Sequence, residues 1–219
     1  HLIRNGAVTV DGRRQPKGYR MNPGQEVCIR NFSMQSGPES ESKHMQAVAV
    51  VRATKDFAAV YKPGVVHTQT QATSPSASLE QVLPRLFPGQ DPVLLNRLDQ
   101  ETSGLVLIGL NMDAVHAYKR MQEEGQTAKT YLALVHGRLI EKQCLHSSLD
   151  TAKRKKVRVL DSLESDPLRW TTVWPLGYMP SEHASLVQVV IYKGRRHQIR
   201  AHLAACGHPV KGDALYGPD

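Results

Sequence analysis

NRLDQETSGLVLIGL, residues 96–110, runs from a polar loop straight into an apolar segment. Its second half, residues 104–110, is the longest apolar run in the chain. That run has strand length and is far too short to cross a bilayer. The first half places Arg97 two residues before Asp99, then adds Thr102, Ser103 and Gly104. Loops held by a rigid sheet are where catalytic groups gather. On spacing alone, a polar turn made by Asp99 and Thr-Ser-Gly is the plainer reading.

Outward from this stretch the pattern alternates between strands and helices. Met112, Val115, Tyr118 and Met121 recur every three residues before Gly125, which predicts a helix over 112–124. Upstream, AVAVVRA (47–53) and FAAVYK (57–62) are strand-like and end at Lys62-Pro63-Gly64. Ser78 and Gln81 fit a capping box opening a short helix that stops near Pro88-Gly89. YLALV (131–135) and SLVQVVIY (185–192) read as strands. Ile199, His202, Leu203 and Cys206 form the buried stripe of a helix ending at Gly207. The expected class is α+β, with a mixed, largely antiparallel sheet and flanking helices.

The first 30 residues read separately, as short strands and turns. Residues 7–10 run into the turn pair Asp11-Gly12, and residues 26–29 follow Pro23-Gly24. Arg4, Arg13, Arg14, Lys17 and Arg20 are interleaved with them. Residues 31–46 are rich in Ser, Gly and Pro, as a linker would be. The expected division is therefore 1–30, 31–46 and 47–219.

The 219 residues carry a formal charge of +8. A polyanionic partner follows, with nucleic acid first and an anionic membrane surface or acidic protein as alternatives. Cys28, Cys144 and Cys206 are scattered and odd in number, which argues against a disulfide framework. The ten histidines show neither HExxH nor zinc-finger spacing, so no metal is expected. No secretory signal peptide is visible.

Two further segments bear on Asp99. One is Lys129-Thr130-Tyr131-Leu132-Ala133-Leu134-Val135-His136-Gly137. The other runs from Gly194-Arg195-Arg196-His197-Gln198-Ile199-Arg200-Ala201-His202 through Gly207-His208-Pro209 and Gly212-Asp213 to Tyr216-Gly217. Together, in this order, the three segments resemble the signature of the RluA-type pseudouridine synthases. Lys62-Pro63-Gly64 resembles the start of that family's catalytic domain, and residues 1–30 resemble the second half of an S4 RNA-binding module. Three departures stand out. Asn96 takes the place of a usual His, the helical half of S4 is missing before His1, and the strands usual after Tyr-Gly are missing after Asp219.

The resemblance implies that Asp99 is the catalytic carboxylate and that Arg200 pairs with it. A carboxylate suits attack on C1′ or stabilisation of charge there, and addition to the pyrimidine ring is the alternative. Burial favours a neutral carboxyl, and a fixed guanidinium opposes that. Tyr131 would stack on the base and assist loss of the C5 proton; by its strand position alone it is a core aromatic. Arg97 would help extrude the nucleotide, or contact a phosphate. His197 and Gln198 would order the loop around Arg200, and His202 would be a satisfied core histidine.

The expected RNA-contacting set is Arg97, Lys62, Lys129, Arg195, His197 and Gln198, with Lys153, Arg154, Lys155, Lys156, Arg13 and Arg14. Lys153–Lys156 is otherwise a solvated charge run. Isomerisation has no net redox requirement, so no cofactor is expected. The expected partner is structured ribosomal or transfer RNA, on a ribosomal particle or free, for a monomer in a bacterial cytoplasm or mitochondrion. A different class of protein, an RNA-binding assembly factor that keeps the fold without needing turnover, fits the same motifs.

Overall fold

The computed structural model describes residues 8–13, 24–29, 45–70, 78–152 and 155–218. The chain divides into two units, residues 1–43 and 44–219. In the first, β1 (Val8–Val10) pairs antiparallel with β2 (Val27–Ile29). Asp11 and Gly12 both take positive φ, 49° and 71°, the left-handed pair a tight turn requires. The Asp11 carboxylate accepts from the Glu26 N–H and the Gln25 amide, each at 2.8 Å, tying β2 to that turn. Arg4, Arg14, Lys17, Arg20 and residues 31–44 lie outside the described residues.

In chain order the second unit runs β3 (Ala49–Ala53), β4 (Phe57–Lys62), α1 (Leu79–Leu86), β5 (Val93–Leu94), β6 (Gly104–Gly109) and α2 (Met112–Glu123). It continues with β7 (Lys129–His136), β8 (Gln143–Leu145), β9 (Ser147–Asp150), β10 (Arg158–Leu163), β11 (Thr171–Met179), β12 (Ala184–Ile191) and α3 (Gln198–Ala205). One four-stranded sheet has the order β3-β4-β6-β5, another β7-β12-β11-β8, and β9 with β10 forms a hairpin. The pairings between these strands are antiparallel, so the α+β expectation holds.

Period-two burial builds each sheet. In β4, Ala58, Val60 and Lys62 point inward, and in β6 Val106 and Ile108 meet them. Leu79 and Leu83 of α1 close that core. In the second sheet Val135, Val173, Val187 and Val189 pack under Leu203 of α3. Each such fully buried side chain contributes about 1.5–3 kcal/mol. Tyr131 of β7 packs against both cores.

β11 has no counterpart in the sequence reading. Pro175 and Gly177 interrupt it, and the register with β12 shifts between those two residues. A bulge is where a strand tolerates a residue with no N–H. No described helix is long and apolar enough to cross a membrane. Among the described residues, no group of three His, Cys, Asp or Glu side chains is arranged to hold a metal ion.

Candidate active site

The loop that carries Asp99 is pinned residue by residue. The Leu107 N–H donates to the Asn96 side-chain oxygen at 2.7 Å, so Asn96 supplies an acceptor that continues the β6 ladder. The Thr68 hydroxyl donates to the Leu98 carbonyl at 2.7 Å and accepts from the Leu98 N–H at 3.1 Å. Leu98 is itself buried in the first core. Asp99 follows at once, and its carbonyl accepts from the Thr102 N–H at 3.0 Å, closing a turn. Gly64 lets a second loop approach, since a Cβ there would lie 3.3 Å from the Glu101 carbonyl.

Lys62 locks the two loops together. Its ammonium donates to the carbonyls of Pro63 (2.9 Å), Val66 (2.7 Å) and Gln100 (3.1 Å) and is wholly buried. Burial pushes its pKa down to about 8, against the opposing pull of Glu101 and Asp99. RNA contact is therefore closed to Lys62, which corrects the sequence expectation. Alternation along β4 turns this position inward.

The opposite wall is α3. Its cap, His197, is a non-glycine residue in left-handed backbone, φ 52°. Gln198 is also interior: its amide donates to Arg169 O (2.7 Å) and Thr171 Oγ1 (3.0 Å), and its oxygen accepts from the Arg195 N–H (2.9 Å). Gln198 thus orders this loop and is not a surface RNA contact. Two residues on, Arg200 Nη1 donates to Asp99 Oδ2 at 2.7 Å. The other side of its fork meets Asp213, Nε to Oδ2 at 2.6 Å and Nη2 to Oδ1 at 2.8 Å. The Asp213 side chain is only 3% exposed, while Asp99 remains 31% exposed. Burial alone would raise the Asp213 carboxyl, but Arg200 and the N–H groups of Leu215 and Tyr216 outweigh it and hold the pKa low. Arg200 is correspondingly kept charged, chiefly by its bonds to Asp213.

Tyr131 completes the setting. Burial, reinforced by the Asp99 charge and by Tyr118, pushes its hydroxyl up to about 12. It is a neutral phenol at rest, offering a ring face and a hydrogen-bond donor. His202 is buried, its ring nitrogens at 2.8 Å from Thr171 Oγ1 and 2.9 Å from Ser147 O.

The remaining residues of the expected set are dispersed. Arg97 is exposed beside Asp99. Lys129 donates to Tyr192 O at 2.7 Å, and Arg195 pairs with Glu164 at 2.9 Å while bonding Leu149 O. Lys155 and Lys156 are exposed on the β9–β10 hairpin, and Arg13 is exposed in the first unit. Lys153 and Arg154 lie outside the described residues, as does Arg14. Sequence reasoning assigned no role to Thr68, Asp213 or Tyr216. Asp213 and Tyr216 stood in the Gly-Asp and Tyr-Gly of the last motif, but no spacing rule links them to Arg200.

The family model described as RNA pseudouridylate synthase matches residues 56–205. An uncharacterized RNA pseudouridine synthase of Helicobacter pylori is 34% identical over 172 residues, 77% of this chain and 57% of the relative. One of Aquifex aeolicus, also uncharacterized, is 31% identical over 234 residues, covering 99% of this chain and 70% of its own. The solved structure of human RNA pseudouridylate synthase domain containing 1 superposes with a TM-score of 0.64 at 26% identity, covering 84% of this chain and 73% of that one. This chain belongs to the RNA pseudouridylate synthase family, in its RluA type. It spans little more than half the length of the Helicobacter relative.

Proposed function

We propose that this protein isomerises uridine to pseudouridine in structured ribosomal or transfer RNA, with Asp99 as the nucleophile. The reading rests on one observation above the rest, the 2.7 Å contact between Arg200 and Asp99 in a member of this family. The reaction breaks N1–C1′, turns the base, joins C5 to C1′ and releases the C5 proton. A carboxylate beside a fixed guanidinium suits either attack at C1′ or stabilisation of the charge that builds there. Tyr131 supplies a base-stacking face, and exposed Arg97 a cation to brace the extruded nucleotide's position. Lys155, Lys156 and the basic first unit, read as part of an S4-like module, supply phosphate contacts. A bacterial cytoplasm or mitochondrion is the setting that fits this chemistry.

The test is chemical. Transcripts of ribosomal and transfer RNA are incubated with the protein, digested to nucleosides and chromatographed. The expected result is a new nucleoside of unchanged mass with the wild type and none with Asp99→Ala, while both proteins bind RNA equally. Binding by both without any isomer supports an assembly factor and defeats the enzyme reading.

A further inference from the structure

His197 is a histidine beside Asp99 whose ring has a defined partner on each side. Nδ1 lies 3.1 Å from the Tyr216 hydroxyl, and Nε2 lies 4.0 Å from Asp99 Oδ2. The tautomer follows from the bonds Tyr216 already makes. Its oxygen accepts the Val157 N–H at 2.7 Å, so its single proton must go elsewhere. The alternatives are Nδ1 at 3.1 Å, or the Val157 carbonyl at 3.5 Å with Nδ1–H donating to the second lone pair of the hydroxyl, and the shorter contact favours the first. In that arrangement Nδ1 is the acceptor and the ring proton sits on Nε2, which faces the carboxylate.

Three facts say that this orientation is maintained. Tyr216 is 5% exposed and is packed into the core under the β9–β10 hairpin. The guanidinium of Arg200 and the ammonium of Lys156 lie 5.1 and 5.2 Å from its ring centroid. His197 holds left-handed backbone at φ 52°, a conformation that costs a non-glycine residue and that recurs where a side chain must be aimed. The same surroundings favour the neutral ring. Burial lowers its pKa and Arg200 and Arg196 lower it further, against Asp99 and Asp213. At 4.0 Å the Nε2–H does not bond Asp99 closely, so among the described residues a donor stands beside that carboxylate without a close acceptor.

We propose that His197 is a substrate-contacting residue: Tyr216 fixes its proton on Nε2, and that N–H meets the uracil carbonyl oxygen on which negative charge gathers during isomerisation. As N1–C1′ breaks, the bonding pair goes to the uracil ring and spreads onto its carbonyl oxygens, while C1′ is taken up by the Asp99 carboxylate. No oxidant or reductant is involved. A pre-aimed donor at a developing oxyanion is worth most in such a site. The proposal rests on the isomerase reading above.

Two measurements test it. Nitrogen-15 NMR of histidine-labelled protein, with His197 assigned through His197→Gln, reads the tautomer without any turnover. The expected result is protonated Nε2 in the wild type and a mixture in Tyr216→Phe. Single-turnover release of tritium from transcripts labelled at uridine C5 reads the role. His197→Ala should lose about 100-fold in rate at unchanged RNA affinity. His197→Gln, whose amide N–H reaches the Nε2 position, should recover at least about tenfold of it. Protonated Nδ1 in the wild type, or a wild-type rate in His197→Ala, overturns the assignment. A wild type that releases no label sinks the isomerase reading and this contact with it.

Discussion

Arg200 holds two carboxylates at once, with separate donors of its planar fork turned to each. Nη1 reaches Asp99 while Nε and Nη2 are occupied by Asp213. A lysine's three donors diverge from one point charge, so it cannot meet Asp213 along one edge while reaching Asp99 from the other. Arg200→Lys should lower single-turnover release by about 100-fold or more while leaving RNA affinity within about twofold. A near-wild-type rate in that variant counts against the pairing. Lys62 makes the companion case for a buried charge. Lys62→Met leaves the carbonyls of Pro63, Val66 and Gln100 without their donor, which should cost about 2–4 kcal/mol of stability in denaturant titrations near pH 7. The sign with pH follows from its pKa, down to about 8 from the ordinary 10.5. Between those values the unfolded chain keeps a proton that the folded chain has shed, so stability rises with pH across the window. The wild type should gain on Lys62→Met between pH 8 and 10; a flat difference would refute the assigned burial cost.

Between β4 and β6 the elements act as a frame for a loop, and one hydroxyl holds the loop to the frame. Thr68→Val keeps shape but removes both bonds to Leu98, leaving a buried N–H and C=O unmatched. The variant should lose about 1–3 kcal/mol of stability and should also slow label release, since Asp99 is the next residue. Loss of stability with an unchanged rate per folded molecule would show that the clamp does not aim Asp99. Much of this frame was readable beforehand. The apolar runs at 57–62 and 104–110 contain β4 and β6, and the run at 185–192 covers all of β12 but Ala184, because apolar character and length both pointed one way. β11 escaped because Pro175 and Gly177 break the pattern at a bulge. Thr68 and Asp213 escaped for another reason. Each acts on a residue distant in sequence, 30 positions for Thr68 and 13 for Asp213, and spacing alone carries no such information. Lys62 was legible in type but not in place: the motif suggested a surface cation, while the alternation of β4 already turned it inward.

At the scale of the whole molecule, a formal charge of +8 favours a polyanion without naming one. What narrows the choice is that the second unit brings together segments about 100 residues apart, Asp99 and Arg200 being 101 positions distant. Two cores meet at Tyr131, and the loop and helix they support present a carboxylate and a guanidinium to the same space. Isomerisation depends on that convergence, and turnover reads it. With RNA carrying tritium at uridine C5, the wild type should release label to water as C5 is joined to C1′. Asp99→Ala, binding the same RNA with the same affinity, should release none. Equal release by the two proteins would show that the Asp99 carboxylate takes no part in the reaction.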